Sequence, residues 1–306
     1  MIDLLFECFT EIILMIAVGY AAAKSGIMTE QFTKKLSDLL ILVMLPCAVM
    51  SSSSGSFDPS QGKDIIVSMI LSFFYFLTGI VVSYLIFRKL PIEAEKRSVS
   101  VTSTIFANSA FIGYPLIQSL WGAEGFQIAV GFELFFSPFM FSIGIMLFTG
   151  KTLGGKDFLK KIASPCMVAV ILSNILYFSG IRLALPITNV LSSVGKCTTP
   201  VSMMIIGAGF VGVRFKEIFT DGLSYLVCFL KLIVYPAILY AILTIFPMLS
   251  PQARMVCVTM SALPIGSFNV ILPRKYGGDA VFANKTLMVS MILSLITLPV
   301  VISLLK

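Results

Sequence analysis

The sequence predicts an all-α membrane protein with ten transmembrane helices, arranged as two inverted five-helix repeats. Hydrophobic residues make up 58% of the 306 residues and charged residues only 12%, against about 25% charged residues in a typical soluble domain. The apolar residues are gathered into long runs, and the basic residues lie mostly in alternate loops between them. These three observations indicate several membrane spans joined by short loops.

Each predicted helix satisfies the length that a membrane requires, about 20 apolar residues. In chain order the ten stretches are 4–24, 36–54, 65–87, 98–120, 125–149, 161–181, 189–211, 222–246, 253–273 and 281–305. The stretches 65–87 and 98–120 contain no charged residue. Because the N-terminus is acidic, unlike a secretory signal, we expect the first stretch to remain as a helix.

The loop charges predict the orientation of these helices. One set of alternate loops carries Lys24, Lys34, Lys35, Arg88, Lys89, Lys96, Arg97, Lys151, Lys156, Lys160, Lys161, Arg214, Lys216, Arg274, Lys275 and Lys285. The other set, with the termini, carries Lys63, Arg182, Arg254 and Lys306. Since basic loops remain in the cytoplasm, both termini are predicted to lie outside the cell membrane. The scattered basic residues favour membrane orientation over nucleic-acid binding.

Recurring features predict that the two halves, 1–150 and 151–306, are repeats of opposite topology. Matched residues in the two halves lie 154 to 161 positions apart in the sequence. Examples are Pro46 with Pro200, and Trp121-Gly122 with Tyr276-Gly277. No single match is significant, but their common offset and order favour an inverted repeat over the alternative that prolines in ten apolar helices align by chance. Five helices in each half would place the second repeat upside down with respect to the first.

Predicted helices 4 and 9 carry glycine, proline and asparagine within uncharged runs, over residues 101–115 and 258–273. Matched interruptions in the two halves of a membrane protein are typical of a transporter's binding site. Broken helices also place N-terminal ends, which favour anions, within the membrane. The alternative is a pair of structural kinks. The polar candidates for the site are Asn108, Ser109, Ser267 and Asn269.

Two ionisable residues, Glu133 and Lys231, lie deep within predicted helices 5 and 8. A charge at such depth is costly and should face the protein interior or water. Two interpretations stay open. The two residues could form a structural ion pair near the point where predicted helices 4 and 9 cross, or they could be an element of gating or proton coupling.

Several classes of function are disfavoured by the residue types present. The chain has no histidine, and its six cysteines form no CxxC pair. This composition disfavours His-dependent catalysis, a disulfide framework and a zinc site. Since no phosphate-binding loop is present either, we expect neither an enzyme nor a bound metal or cofactor. Coupling to Na⁺ or H⁺ stays open.

The chain resembles short bacterial members of the auxin efflux carrier family over nearly its whole length. The motifs that carry the resemblance are Asn108-Ser109 with Gly113-Tyr114-Pro115, Pro264 with Asn269, Tyr276-Gly277-Gly278-Asp279, the ending 293–299, Leu45-Pro46 and Thr199-Pro200. Val270 and Pro273 depart from the family pattern, where a Thr or Ser and a small residue are usual.

The resemblance implies a fold of two inverted repeats, related to bile-acid sodium symporters. Helices 1, 2, 6 and 7 would form a scaffold, through which a homodimer could form, and helices 3–5 and 8–10 a transport unit that moves as an elevator. It also implies transport of small carboxylates such as malonate, malate or auxin. Asn108 and Asn269 would then bind the carboxylate, Pro115 and Pro264 would shape the crossing, and Glu133 with Lys231 would support it. A membrane receptor using the same pocket is the alternative function.

Overall fold

The computed structural model describes residues 2–52, 59–151, 154–155, 163–211 and 220–305, without the side chains of residues 2–6, 8, 9 and 274. The orientation signals Lys156, Lys160, Lys161, Arg214, Lys216, Arg274 and Lys306 therefore lie outside what is described. The other basic loop residues lie within it.

Helices occupy almost all of the described chain. They are α1 Ile2–Lys24, α2 Glu30–Ser52, α3 Pro59–Arg88, α4 Ala94–Ile105, α5 Tyr114–Phe132, α6 Phe136–Phe139, α7 Ile145–Thr149, α8 Pro165–Ser179, α9 Leu185–Gly209, α10 Gly222–Ile245, α11 Pro251–Ser261, α12 Phe268–Tyr276 and α13 Ala280–Leu304. The predicted all-α class is therefore confirmed for these residues. Each of the ten predicted stretches contains helix.

Six largely helical stretches in the described residues are long and apolar enough to cross a membrane. They are Glu30–Ser52, Pro59–Arg88, Ser109–Thr149, Leu185–Gly209, Gly222–Ile245 and Ala280–Leu304. The helix Pro165–Ser179 is apolar but shorter. The protein is thus a multi-pass membrane protein, while the count of ten spans and the inverted repeat stay predictions.

Three helices contain a wide π turn two residues before a proline. The π turns are Leu40–Met44, Ser109–Gly113 and Leu230–Val234, and the prolines are Pro46, Pro115 and Pro236. Proline has no N–H, so the carbonyl four residues earlier has no ordinary helical donor. In each case that carbonyl falls within the π turn, where the wider pairing accommodates the gap.

Residues with clear capping chemistry begin several of the helices. Ser164 and Ser250 each accept a backbone N–H three residues on, and each is followed by proline at the first helical position. Asp279 accepts the N–H of Phe282 at 2.8 Å. Serine or aspartate before the first turn satisfies donors that have no intrahelical partner, and proline fits there because its missing N–H is not needed.

The chain divides into two compact units, and each takes segments from both halves of the sequence. The first unit contains Met1–Lys63, Ala110–Val130 and Ser164–Val213, and the second contains Asp64–Ser109, Gly131–Ala163 and Arg214–Lys306. The predicted division at residue 150 describes repeats, not compact bodies, and it stays a prediction.

The first unit is held together by close helix packing and a buried polar cluster. α1 packs along the second half of α9, where the backbone of Ile16 and Tyr20 leaves no room for a side chain at Gly207. Elsewhere in this unit, the hydroxyl groups of Ser52 and Ser173 both donate to Oε1 of Gln127, at 2.5 and 3.4 Å. Small residues allow membrane helices to approach, and polar groups join them.

Candidate functional site

Both interrupted helices break within the second unit, over shorter stretches than the sequence predicts. The first helix, α4, ends at Ile105, and helical structure resumes at Ser109. The second, α11, ends at Ser261, and α12 begins at Phe268. The Gly- and Pro-containing segments that follow each break are mostly helical, with Pro115 at the second residue of α5 and Pro273 inside α12.

The two breaks pair with each other as short extended segments, or strands, that run antiparallel. We call this paired region the crossing. Ala107 and Ile265 form an antiparallel bridge. The N–H of Asn108 donates to the carbonyl of Pro264 at 2.8 Å, and the N–H of Gly266 donates to the carbonyl of Phe106 at 3.1 Å. In a membrane, backbone groups outside a helix need hydrogen-bond partners inside the protein. Here each break supplies a backbone hydrogen-bond partner to the other.

The pairing depends on Gly266, which lies directly against the opposite strand. A Cβ atom at this position would approach the carbonyl oxygen of Ala107 at 2.5 Å, too close for any side chain. The neighbouring N–H of Ile265 donates to the hydroxyl of Ser290 on α13 at 3.1 Å. Gly266 is not among the site residues predicted from the sequence, although a glycine inside a strand-like segment is a known sign of close backbone approach.

Asn269 ties the two breaks together through its side chain. It is completely buried, and its Nδ2 donates to the carbonyls of Phe106 at 2.9 Å and Gly266 at 3.1 Å. Only an NH₂ group can serve two carbonyls, so the orientation of the amide is fixed. Its Oδ1 is buried and has no hydrogen-bond partner among the described residues. The unpaired atom of the Asn269 side chain is therefore a hydrogen-bond acceptor.

Asn108 differs from Asn269 because its side-chain amide is not used to hold the fold. Asn108 is 3% exposed, and its Nδ2 is buried without a hydrogen-bond partner. The neighbouring Ser109 hydroxyl lies close enough to the Glu133 carboxyl to interact with it, although it falls outside hydrogen-bond geometry. Buried polar groups are nearly always paired, so an unpaired amide calls for a water or ligand as its partner.

The remaining predicted residues of the site occupy different places. Pro264 lies within the second break, where its carbonyl accepts the bond from Asn108. Ser267 precedes the first residue of α12, but its side chain makes no capping hydrogen bond. Pro115 lies within α5, in a segment that belongs to the first unit, whereas the other predicted residues of the site belong to the second.

The buried Lys231 joins the ends of the two interrupted helices. It lies in the π turn of α10 and is 0% exposed. Its Nζ donates to the carbonyl of Ile105 at 3.1 Å and to that of Ser261 at 3.1 Å. These are the last residues of α4 and α11, and helix C-termini carry partial negative charge. The ammonium therefore neutralises two helix ends together.

Glu133 lies at a further interruption, one that is not predicted from the sequence. Helix α5 ends at Phe132, and residues 133–135 form a turn before α6. Pro138 is the signal that was available, since it leaves the carbonyl of Leu134 without a helical donor. In the described residues, both hydrogen bonds of Lys231 go to carbonyls, and Glu133 interacts with it electrostatically. A structural ion pair between them, or a role in gating or proton coupling, stays a prediction.

Aromatic rings line the same region of the second unit. Phe136 packs edge-on against Phe106 of the first break, with ring centroids 5.4 Å apart, and lies 6.3 Å from Phe268 at the start of α12. Phe136 and Phe268 are only partly buried. The crossing thus combines a few polar groups with an apolar wall, which is typical of small-molecule sites.

The described residues contain no group of three or more His, Cys, Asp or Glu side chains that could hold a metal ion. Oxygen atoms at the crossing come mainly from backbone carbonyls and amides. These groups can orient a small molecule by hydrogen bonds.

Comparison with known proteins places the chain among membrane transport proteins. A family model described as "Membrane transport protein" matches residues 4–156 and 151–302. The chain belongs to this family, which is the auxin efflux carrier family, and the resemblance drawn from its motifs is confirmed.

Individual relatives are similar over different lengths. An uncharacterized transporter of Methanothermobacter thermautotrophicus is 21% identical over 96% of both chains. Another, of Methanocaldococcus jannaschii, is 26% identical over 64% of this chain and 66% of its own length. Protein ECM3 of Saccharomyces cerevisiae is 26% identical over 36% of this chain, which spans 18% of that protein.

Proposed function

We propose that this membrane transport protein is a secondary transporter of small organic carboxylates, such as malonate, malate or an auxin-like acid. The observation that carries the proposal is the pairing of two helix breaks beside the buried amides of Asn108 and Asn269, each of which has an atom without a partner. Broken helices that cross and expose polar backbone are how many transporters build a site within the membrane.

An anion is supported by the direction of the helices that leave the crossing. Helical structure resumes at Ser109 and at Phe268, immediately after the paired strands. A helix start carries partial positive charge and N–H groups without intrahelical partners. The Nδ2 of Asn108, which has no hydrogen-bond partner among the described residues, adds a neutral donor.

The free acceptor of Asn269 further restricts which chemical groups the proposed substrate should carry. Since both of its N–H groups are bound to carbonyls, Asn269 offers Oδ1 and would receive a donor from the substrate. A hydroxyl group or a protonated carboxyl beside the bound carboxylate would supply one. Phe136 and Phe268 would contact the carbon skeleton.

The division into two units supports alternating access by an elevator-type movement. The crossing lies wholly within the second unit, which holds α3 from Asp64 onward, α4, α6, α7 and α10–α13. The first unit holds α1, α2, α8 and α9, with Ala110–Val130. This division follows the scaffold and transport unit that the family resemblance implies, except for residues 110–130, which the resemblance assigns to the transport unit.

The same proposal covers location and assembly. We place the protein in the cell membrane with both termini outside, its two halves related as inverted repeats, and a homodimer formed through helices of the first unit. Loop charges support the orientation, the offsets of matched residues support the repeats, and the family resemblance supports the homodimer.

Uptake into proteoliposomes tests the proposed function. We expect radiolabelled malate or malonate to accumulate with saturable kinetics, and both Asn108→Ala and Asn269→Ala to lose most of the uptake. The exposed Asn189 on α9 offers the matched control Asn189→Ala, which should transport normally. Unchanged uptake in both site variants would contradict the site. Saturable binding without any flux would instead support a receptor.

A further inference from the structure

Lys231 is buried in a place where a free lysine would be very costly. It is 0% exposed within an otherwise apolar helix, α10, whose π turn it occupies. Charged residues at such depth are retained where they are paired and where they act in function. The partners of Lys231 are the two helix-end carbonyls described above.

The arrangement around its ammonium is that of a cation site built from backbone oxygens. The carbonyls of Ile105 and Ser261 both lie 3.1 Å from Nζ. Each belongs to the C-terminal end of a helix that stops at the crossing, and the Glu133 carboxyl lies within electrostatic range. Unwound carbonyls and half-helix C-termini are the groups that hold Na⁺ in other transporters with broken helices.

We propose that the Lys231 ammonium serves as a built-in cation, which holds the two helix ends in the arrangement that a bound Na⁺ would otherwise hold. The crossing then keeps its geometry in every ionic medium. Resting on the proposed transport function, the corollary is that substrate uptake needs no Na⁺. Lys231 acts as a positioning residue, because it contacts the backbone of the crossing.

Removal of the side chain should convert the crossing into a site for an exchangeable cation. Lys231→Ala leaves the carbonyls of Ile105 and Ser261 without the donor that the ammonium supplied, with the Glu133 carboxyl nearby. Loss of one partner of a buried charged contact costs several kcal/mol, so we expect its melting temperature to fall by about 5–10 °C in N-methylglucamine chloride. Na⁺ binding to the folded state should raise that temperature with the logarithm of its concentration.

The measurement is thermal unfolding of the purified full-length protein in Na⁺ or N-methylglucamine chloride at equal ionic strength. The melting temperature of the wild type should be the same in both salts. The melting temperature of Lys231→Arg, which keeps a cation at this position, should likewise not depend on the salt. Lys196, an exposed lysine on α9, provides the control Lys196→Ala, which should also show no difference. Selective stabilisation of Lys231→Ala by Na⁺ supports the proposal, and equal melting of that variant in both salts overturns it.

If Lys231→Ala yields no folded protein in either salt, the wild type decides. Stabilisation of wild type by Na⁺, or uptake that requires Na⁺, overturns the built-in cation, while the absence of both supports it. The unfolding measurements need no substrate, so a protein that transports no carboxylate can still show the expected ion response. Failure of the carboxylate proposal is therefore distinguishable from failure of this one.

Discussion

Asn269, on the helix after the second break, donates a hydrogen bond to the carbonyl of Phe106 in the first break at 2.9 Å. This bond joins residues that are 163 positions apart in the chain. It also separates the two asparagines of the crossing by role. Asn269 holds the breaks together, whereas Asn108 has a side-chain amide that no group in the described protein uses.

Alanine substitutions should therefore separate stability from transport. Asn269→Ala removes two buried hydrogen bonds, and we expect a loss of about 1–3 kcal/mol in unfolding free energy together with transport. Asn108→Ala removes a buried group without a partner, so stability should be unchanged or higher while transport falls. Thermal unfolding and uptake on the same preparations check this. Equal destabilisation by both substitutions would contradict the assignment of roles.

Gly266→Ala should disrupt the crossing. The added methyl would meet the backbone carbonyl of Ala107, which cannot move without breaking the paired strands. We expect a destabilisation of about 1–3 kcal/mol, as for other overpacked sites, and loss of uptake. Gly222, in the same unit, has open space for 4 Å around the position that a methyl would take, and Gly222→Ala should behave as wild type.

Within the first unit, Gly207→Ala should weaken the contact between α1 and α9. Its methyl would lie against the backbone of Ile16 and Tyr20, so we expect a lower melting temperature. Gly209, two residues further along the same helix, has open space around it. Gly209→Ala should leave the melting temperature unchanged or slightly raised, because alanine favours a helix over glycine. Similar losses from both would contradict the close contact at Gly207 as the cause.

The free acceptor at Asn269 predicts a preference among carboxylates. Malate, which carries a hydroxyl group, should compete for uptake more strongly than succinate, which has the same carbon chain without it. Sites that hydrogen-bond a hydroxyl group discriminate strongly against the analogue that lacks it, and we expect at least a tenfold difference in inhibition constant. Equal inhibition by the two acids would show that Oδ1 does not meet the substrate.

Membrane orientation can be read at the two ends of α3. Lys63, in its first turns, and Lys89, just after its last residue, are both exposed. In a cysteine-free background, an impermeant maleimide should label Lys63→Cys on intact cells and Lys89→Cys only after permeabilisation, because basic loops stay in the cytoplasm. The reverse pattern would place the termini inside.

The sequence predicts the helices and the crossing better than it predicts the atoms that form them. Uncharged runs and the paired Gly, Pro and Asn segments indicate where helices break, because proline and buried polarity act locally. The partner of Lys231 is a different matter. Side-chain depth indicates Glu133, which interacts with Lys231 electrostatically. The hydrogen bonds of the ammonium go to the carbonyls of Ile105 and Ser261, and backbone acceptors cannot be recognised from the identity of a residue.

The turn at Glu133 is a second detail of the structure that the sequence alone does not predict. Pro138 indicates a weak point in the helix, yet whether the chain bends there depends on neighbouring groups such as Ser72, whose hydroxyl accepts the N–H of Phe135 at 3.3 Å. Likewise, Gly266 is recognisable as essential only once the opposite strand is in place. Contacts between distant segments decide these details.

The pairing of the two breaks also sets an order of events during synthesis. The first break, at Phe106–Asn108, enters the membrane long before the ribosome has made Pro264, Gly266 and Asn269, which satisfy its backbone groups. Until then the nascent chain carries unpaired polar backbone in a hydrocarbon environment, where such groups are costly. Insertion of this protein therefore requires either a sheltered intermediate at the insertion machinery or a temporary helix across residues 105–109 that opens when the second break arrives.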